Sequence, residues 1–198
     1  MQGKISVDFV CSSMEIDVSV VKDNARKIEK GLNKYLSIMQ AFRLSDISCD
    51  YKLQKAYKGF YRVRRDDDFC RVYFDYMDKH KNDIDINLDD VISYLYKETG
   101  KYEPSFSSKL LATIDSNKPV WDLHVLSQLS IKAPPYYKKD RLQLSFATYK
   151  TLENWFATYL QTQNAKEVIK CFDSLFPVKQ LTNVKKIDLV LWCMGPKG

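Results

Sequence analysis

Most of the chain places its apolar residues at helical spacing. Ala25, Ile28, Leu32, Tyr35, Leu36 and Met39 recur on one face from Asp23 onward, with Lys27, Lys30 and Lys34 on the outside. Phe69, Val72, Tyr73, Tyr76 and Met77 predict another helix. Asp66, Asp67 and Asp68 stand at its start, where negative charge complements the helix dipole. Asn87 predicts an N-cap for a helix that buries Leu88, Val91, Ile92 and Leu95 and ends near Gly100. An apolar helix over 106–114 follows, then a polar break at 115–118, and Pro119 predicts the opening of a further helical segment. Leu142, Phe146, Tyr149, Leu152, Trp155, Phe156 and Tyr159 mark a long amphipathic helix. The segment 166–176 is a helix stopped by Pro177, and Val184, Ile187, Leu191 and Trp192 mark a closing one.

Only the beginning of the chain has the other period. Ile5, Val7, Phe9 and Cys11 alternate, and Ile16, Val18 and Val20 alternate again, which predicts a short β-hairpin or arm over 1–21 turned at Ser12 and Ser13. The second run equally fits the start of the next helix. The expected fold class is mostly α: a compact helical domain over 1–198, as one globular unit or two helical lobes, with that N-terminal hairpin.

Composition narrows the function classes. With 198 residues the chain can bury a sizeable core, and its 13 Tyr and 10 Phe make much of that core aromatic. The net charge of +6 permits nucleic-acid binding without requiring it. Five cysteines without a C-x-x-C pair, and only His80 and His124 as histidines, argue against a zinc site and for a reducing cytoplasm. No leader-like or membrane-length apolar run is present, so the expectation is a cytoplasmic protein without membrane, metal or cofactor. Walker-type glycine loops, G-x-S-x-G elbows and H-E-x-x-H are absent.

Two basic windows stand out. Residues 51–65 hold six basic residues and no acid, interleaved with Tyr51, Tyr57, Phe60 and Tyr61. Arg62, Arg64 and Arg65 fit phosphate contacts as well as they fit a solvated helix end. The second window, 132–141, is a Pro134–Pro135 loop carrying Lys138 and Lys139.

The least charged stretch, 105–125, carries the candidate chemistry: F-S-S-K-L-L-A-T-I, then P-V-W-D-L-H-V. A carboxylate among Val120, Trp121, Leu123 and Val125 is costly to bury and needs a role. The stretch resembles the catalytic region of the helix-hairpin-helix base-excision DNA glycosylases, in which a helix with a small-residue pair leads to a hydrophobic-D-x-H-V element. Asp122, His124 and Val125 match D-x-H-V, and Ser107 and Ser108 match the small pair. The resemblance implies Asp122 as the catalytic carboxylate, with His124 and Trp121 beside it. It implies double-stranded DNA as partner, with Ser105, Ser107, Ser108 and Lys109 at the DNA together with Arg62, Arg64, Arg65, Lys138 and Lys139.

Two family features are missing. Tyr102, Glu103, Pro104, Ser105 and Phe106 stand where the family has a G-x-G-type hairpin. The nucleophilic-lysine position is Ser105, seventeen before Asp122, while Lys109 lies only thirteen before it. The resemblance therefore implies a monofunctional glycosylase without a covalent lysine intermediate. From the residues alone, Asp122 reads first as a helix cap or the partner of a buried backbone donor, and Lys109 as a surface or phosphate-contact lysine. The alternative function is a non-catalytic helical module that binds DNA or protein with the same fold. A helical interaction protein without a nucleic-acid role is a third reading.

Overall fold

A computed structural model describes residues 14–83 and 85–195. Among these, ten helices and no strand are present: α1 (Ser19–Asp23), α2 (Ala25–Leu44), α3 (Tyr51–Tyr61), α4 (Asp67–Lys79), α5 (Leu88–Thr99), α6 (Pro104–Ile114), α7 (Leu123–Gln128), α8 (Arg141–Tyr159), α9 (Gln163–Leu175) and α10 (Asn183–Met194). The mostly helical class is as the periodicity predicts.

The N-terminal hairpin is not formed by the residues described. Its first strand and turn lie outside them. The second run turns into α1 instead: Ile16 is buried, its backbone N–H and C=O bond the Asn164 side chain at 2.9 and 3.0 Å, and Val21 follows into the core. Asn164 thus supplies the pairing that a partner strand would have supplied.

Helix starts follow local chemistry. Asp50, Asp66, Asn87, Thr162 and Thr182 each accept a hydrogen bond from a backbone N–H of the first turn. Gly100 ends α5 at φ 65°, a left-handed position that glycine adopts without steric cost. Pro119 opens no helix. Residues 119–122 form an irregular link with a tight turn, in which the Asp122 N–H donates to the Val120 carbonyl at 3.0 Å, and α7 starts only at Leu123, after Asp122.

Buried apolar side chains from all ten helices form one contiguous cluster. Its polar centre is a chain of hydroxyls. The Tyr57 and Tyr73 hydroxyls lie 3.0 Å apart, Tyr73 donates to the Phe106 carbonyl at 2.9 Å, and Tyr57 meets Thr113 at 3.3 Å. Burial pushes both phenols well above their ordinary range, so they serve as neutral hydrogen-bonding groups. This network fixes α6 against α3 and α4, while α10 packs on α2, α7 and α9. No helix of the described residues is long and apolar enough to cross a membrane.

Candidate functional site

The irregular link between α6 and α7 is held by serines of α6. The Ser108 hydroxyl donates to the Ser105 carbonyl at 3.0 Å and accepts the buried Trp121 N–H at 2.9 Å. The Ser105 hydroxyl donates to the Trp121 carbonyl at 3.0 Å. Both backbone groups of Trp121 are therefore paired, and its ring enters the core. These bonds set the position of the next residue, Asp122, whose carboxylate accepts the His124 N–H at 2.9 Å and caps α7. The cap reading of Asp122 is correct, and it leaves the half-buried carboxylate room for a second role.

Asp122 faces a cleft of about 530 Å³, a size that suits a small ligand or an extruded base. One wall is a single face of α2, with Lys27, Lys30, Gly31 and Lys34. A face of α10 at the same spacing, Lys185, Asp188, Leu189 and Trp192, packs beside it, with the Lys27 ammonium 5.1 Å from the centre of the Trp192 ring. The end of α3 contributes Gly59, Phe60, Tyr61 and Arg62, and the α6–α7 element contributes Ser105, Lys109, Val120, Asp122, Leu123 and His124. Six cationic side chains thus share the cleft with two carboxylates. A concave site of one dominant sign concentrates the opposite charge. Arg62 sits at φ 55°, a left-handed conformation that is uncommon for a side chain of this size, and this turn ends α3 at the cleft.

Three groups set the electrostatics inside. The Lys109 ammonium is 7% exposed, donates to the Ser105 hydroxyl at 3.1 Å and lies 5.4 Å from the centre of the Phe106 ring. Burial lowers its pKa below the ordinary lysine value, opposed by the charges of Asp122 and Asp188. Lys185 and Asp188 form an ion pair at 2.7 Å with 7% and 8% of their side chains exposed. Burial alone would lower the Lys185 pKa, but Asp188 outweighs it and holds the ammonium protonated above the ordinary range. The Tyr35 ring lies 4.7 Å from that ammonium, and burial pushes the Tyr35 phenol up to about 12. Among the described residues, the buried Tyr61 hydroxyl has no hydrogen-bond partner.

Of the residues singled out from the sequence, Asp122, His124, Ser105, Lys109 and Arg62 meet in this cleft. Ser107 and Ser108 do not reach it. Both are fully buried, Ser107 donating to the Glu103 carbonyl at 2.8 Å, so they build the site from beneath and have no surface to offer DNA. Lys109 is not a surface lysine. Arg65 pairs with Glu103 and lies 5.6 Å from the Phe106 ring centre. Arg64, Lys138 and Lys139 are exposed and do not line the cleft. Lys27, Lys30 and Lys34, read as an outward face of α2, line it instead. The Lys185–Asp188 pair had a sequence signal: a lysine and an acid three apart on an otherwise apolar helix.

No family model, curated protein or solved structure matches this chain.

Proposed function

We propose that this chain is a DNA-binding protein of the helix-hairpin-helix base-excision glycosylase type, a monofunctional hydrolase that releases a base extruded into the cleft. The observation that carries the reading is that Asp122, pinned by the His124 N–H, opens into a concave site lined by six cations. A duplex brings phosphates to such a surface, and an extruded nucleotide brings its sugar to the carboxylate. As the N-glycosidic bond breaks, the base departs with the bonding electrons and positive charge develops at C1′. Asp122 stabilises that charge, or orients the water that attacks C1′ and loses a proton. Neither a cofactor nor a metal enters this reaction.

A second reading rests on Lys109. Its amine is buried in the same cleft and its pKa is lowered, the two conditions that make a lysine nucleophilic. In this reading the amine attacks C1′, the base leaves, and loss of a proton from nitrogen with ring opening gives a Schiff base with the sugar.

The test is single-turnover base release from a panel of damaged duplexes, repeated with borohydride. Release without a trapped adduct supports the hydrolytic reading. Trapping that disappears in Lys109→Gln supports the amine reading. If every duplex is bound and none loses a base, the non-catalytic binding module is the correct alternative.

A further inference from the structure

Charge in the cleft is unevenly satisfied. The Lys27 ammonium donates to the Cys193 carbonyl at 2.9 Å, Lys109 donates to Ser105, and Lys185 is paired with Asp188. Among the described residues, Lys30, Lys34 and Arg62 have no hydrogen-bond or ion-pair partner for their side chains, yet all three line the cleft. Lys27, Lys30 and Lys34 share one face of α2. At 1.5 Å of rise per residue the two unpaired ones, Lys30 and Lys34, lie roughly 6 Å apart along the axis, about two phosphate steps on one strand.

Glycine placement gives an independent reason to expect an occupant. Gly31 and Gly59 lie inside α2 and α3, and both line the cleft. Glycine is a poor helix former. Neither has a left-handed φ, so the backbone does not demand it. Packing does not demand it either. A Cβ at Gly59 would meet nothing within 4 Å, and one at Gly31 would meet only Leu189 Cδ2 at 3.8 Å, an ordinary contact. Alanine fits at both positions. What Gly59 provides is open space beside the unpaired cations, while Gly31 lets the α2 backbone lie close to Leu189 of α10.

We propose that the α2–α3 wall binds a phosphodiester strand, Lys30, Lys34 and Arg62 contacting its phosphates and Gly59 leaving the groove in which the strand lies. This rests on the reading of the cleft as a DNA site and adds which wall holds the backbone: that of α2 and α3, with Asp122 on the α6–α7 element. The shared chemistry is a phosphate ester, so a free nucleotide is the competing source.

The experiment is a fluorescence-anisotropy titration of the full chain with a labelled duplex, a labelled single strand and, by competition, a mononucleotide, over a salt series. Lys30→Gln and Lys34→Gln each remove an exposed charge and leave the fold intact. Each lowers the slope of log affinity against log salt by about 0.9 on duplex or about 0.7 on single strand. Lys166→Gln, an exposed change on α9, leaves the slope unchanged. Gly59→Leu raises the melting temperature, as a better helix former, while weakening binding. A structural role for the glycine would not separate those two readouts.

Unchanged slopes and affinity in the lysine and glycine variants, with wild-type binding intact, overturn the wall assignment alone. A mononucleotide that saturates the cleft as tightly as any oligonucleotide, with the same lysine dependence, overturns the strand and makes the wall a nucleotide site. Absence of wild-type binding to every nucleic acid overturns the DNA reading as well.

Discussion

Replacing Asp188 by Asn tests whether the cleft is built around a buried ion pair. The substitution keeps the size and one acceptor oxygen but leaves the Lys185 ammonium, 7% exposed, without a countercharge. Breaking a buried pair by removing one partner costs about 3–5 kcal/mol. The retained acceptor and the Tyr35 and Tyr61 rings, 4.7 and 5.8 Å from the ammonium, offset part of that. A net loss of about 2–3 kcal/mol follows, a fall in Tm of roughly 4–12 °C for a chain of this size. Lys185→Met combined with Asp188→Leu removes both charges and regains most of the loss, because two apolar side chains have no desolvation cost to recover. Because the Lys185 pKa is raised in the fold, its contribution is fully present below the unfolded lysine value of about 10.4 and is lost only as pH rises through the folded one. Melting and urea unfolding from neutral pH to pH 9 measure it. An Asp188→Asn chain that melts within about 1 °C of wild type, or a double variant worse than the single, would refute this reasoning.

Two further substitutions separate the groups around Asp122. Lys109→Met keeps the stem and removes the ammonium that burial disfavours; because the folded pKa is lowered, the cost is present below that value and disappears as pH rises past the unfolded one. The variant is therefore more stable than wild type at pH 7, with an advantage that shrinks by pH 11, as paired melting curves will read. Ser108→Ala orphans the buried Trp121 N–H and costs about 1–3 kcal/mol by urea unfolding. Ser107→Ala costs less, because its partner, the Glu103 carbonyl, still accepts the Ser107 N–H at 2.9 Å.

Local rules carried far in this chain, and their failures share a cause. Asn87 caps as expected, and Asp66, expected only as a charge at the helix start, caps α4 as well, because capping is decided within one turn. Ile16, Val18 and Val20 alternate like a strand, but with no partner strand among the described residues and Asn164 holding Ile16, the chain turned helical. Pro119 did not start a helix because the Ser105 and Ser108 hydroxyls claim the backbone groups of Trp121 that a helix would have used. The lysines of α2 were legible as one face, but what that face looks upon was not. The helix packed beside it is α10, some 150 residues later, and nothing near Lys30 announces it. Asp122 and His124 were legible through a short motif. Lys185 and Asp188 were overlooked because an apolar helix reads as core, even where a charged pair interrupts it.

The central claim, that Asp122 acts on an extruded nucleotide, is tested most directly by Asp122→Asn. Asn caps about as well as Asp, so the bond from the His124 N–H and the start of α7 survive. The charge alone is lost. The measurement is single-turnover base release by wild type and variant on the damaged duplex that wild type processes fastest, with Tm and duplex affinity taken on the same samples. The account predicts a fall in release of about 10²-fold or more, the scale of removing one electrostatic stabiliser, with stability and affinity nearly unchanged. Release at the wild-type rate, or a loss explained by early melting, would contradict it and leave Asp122 as a helix cap at the edge of a basic cleft.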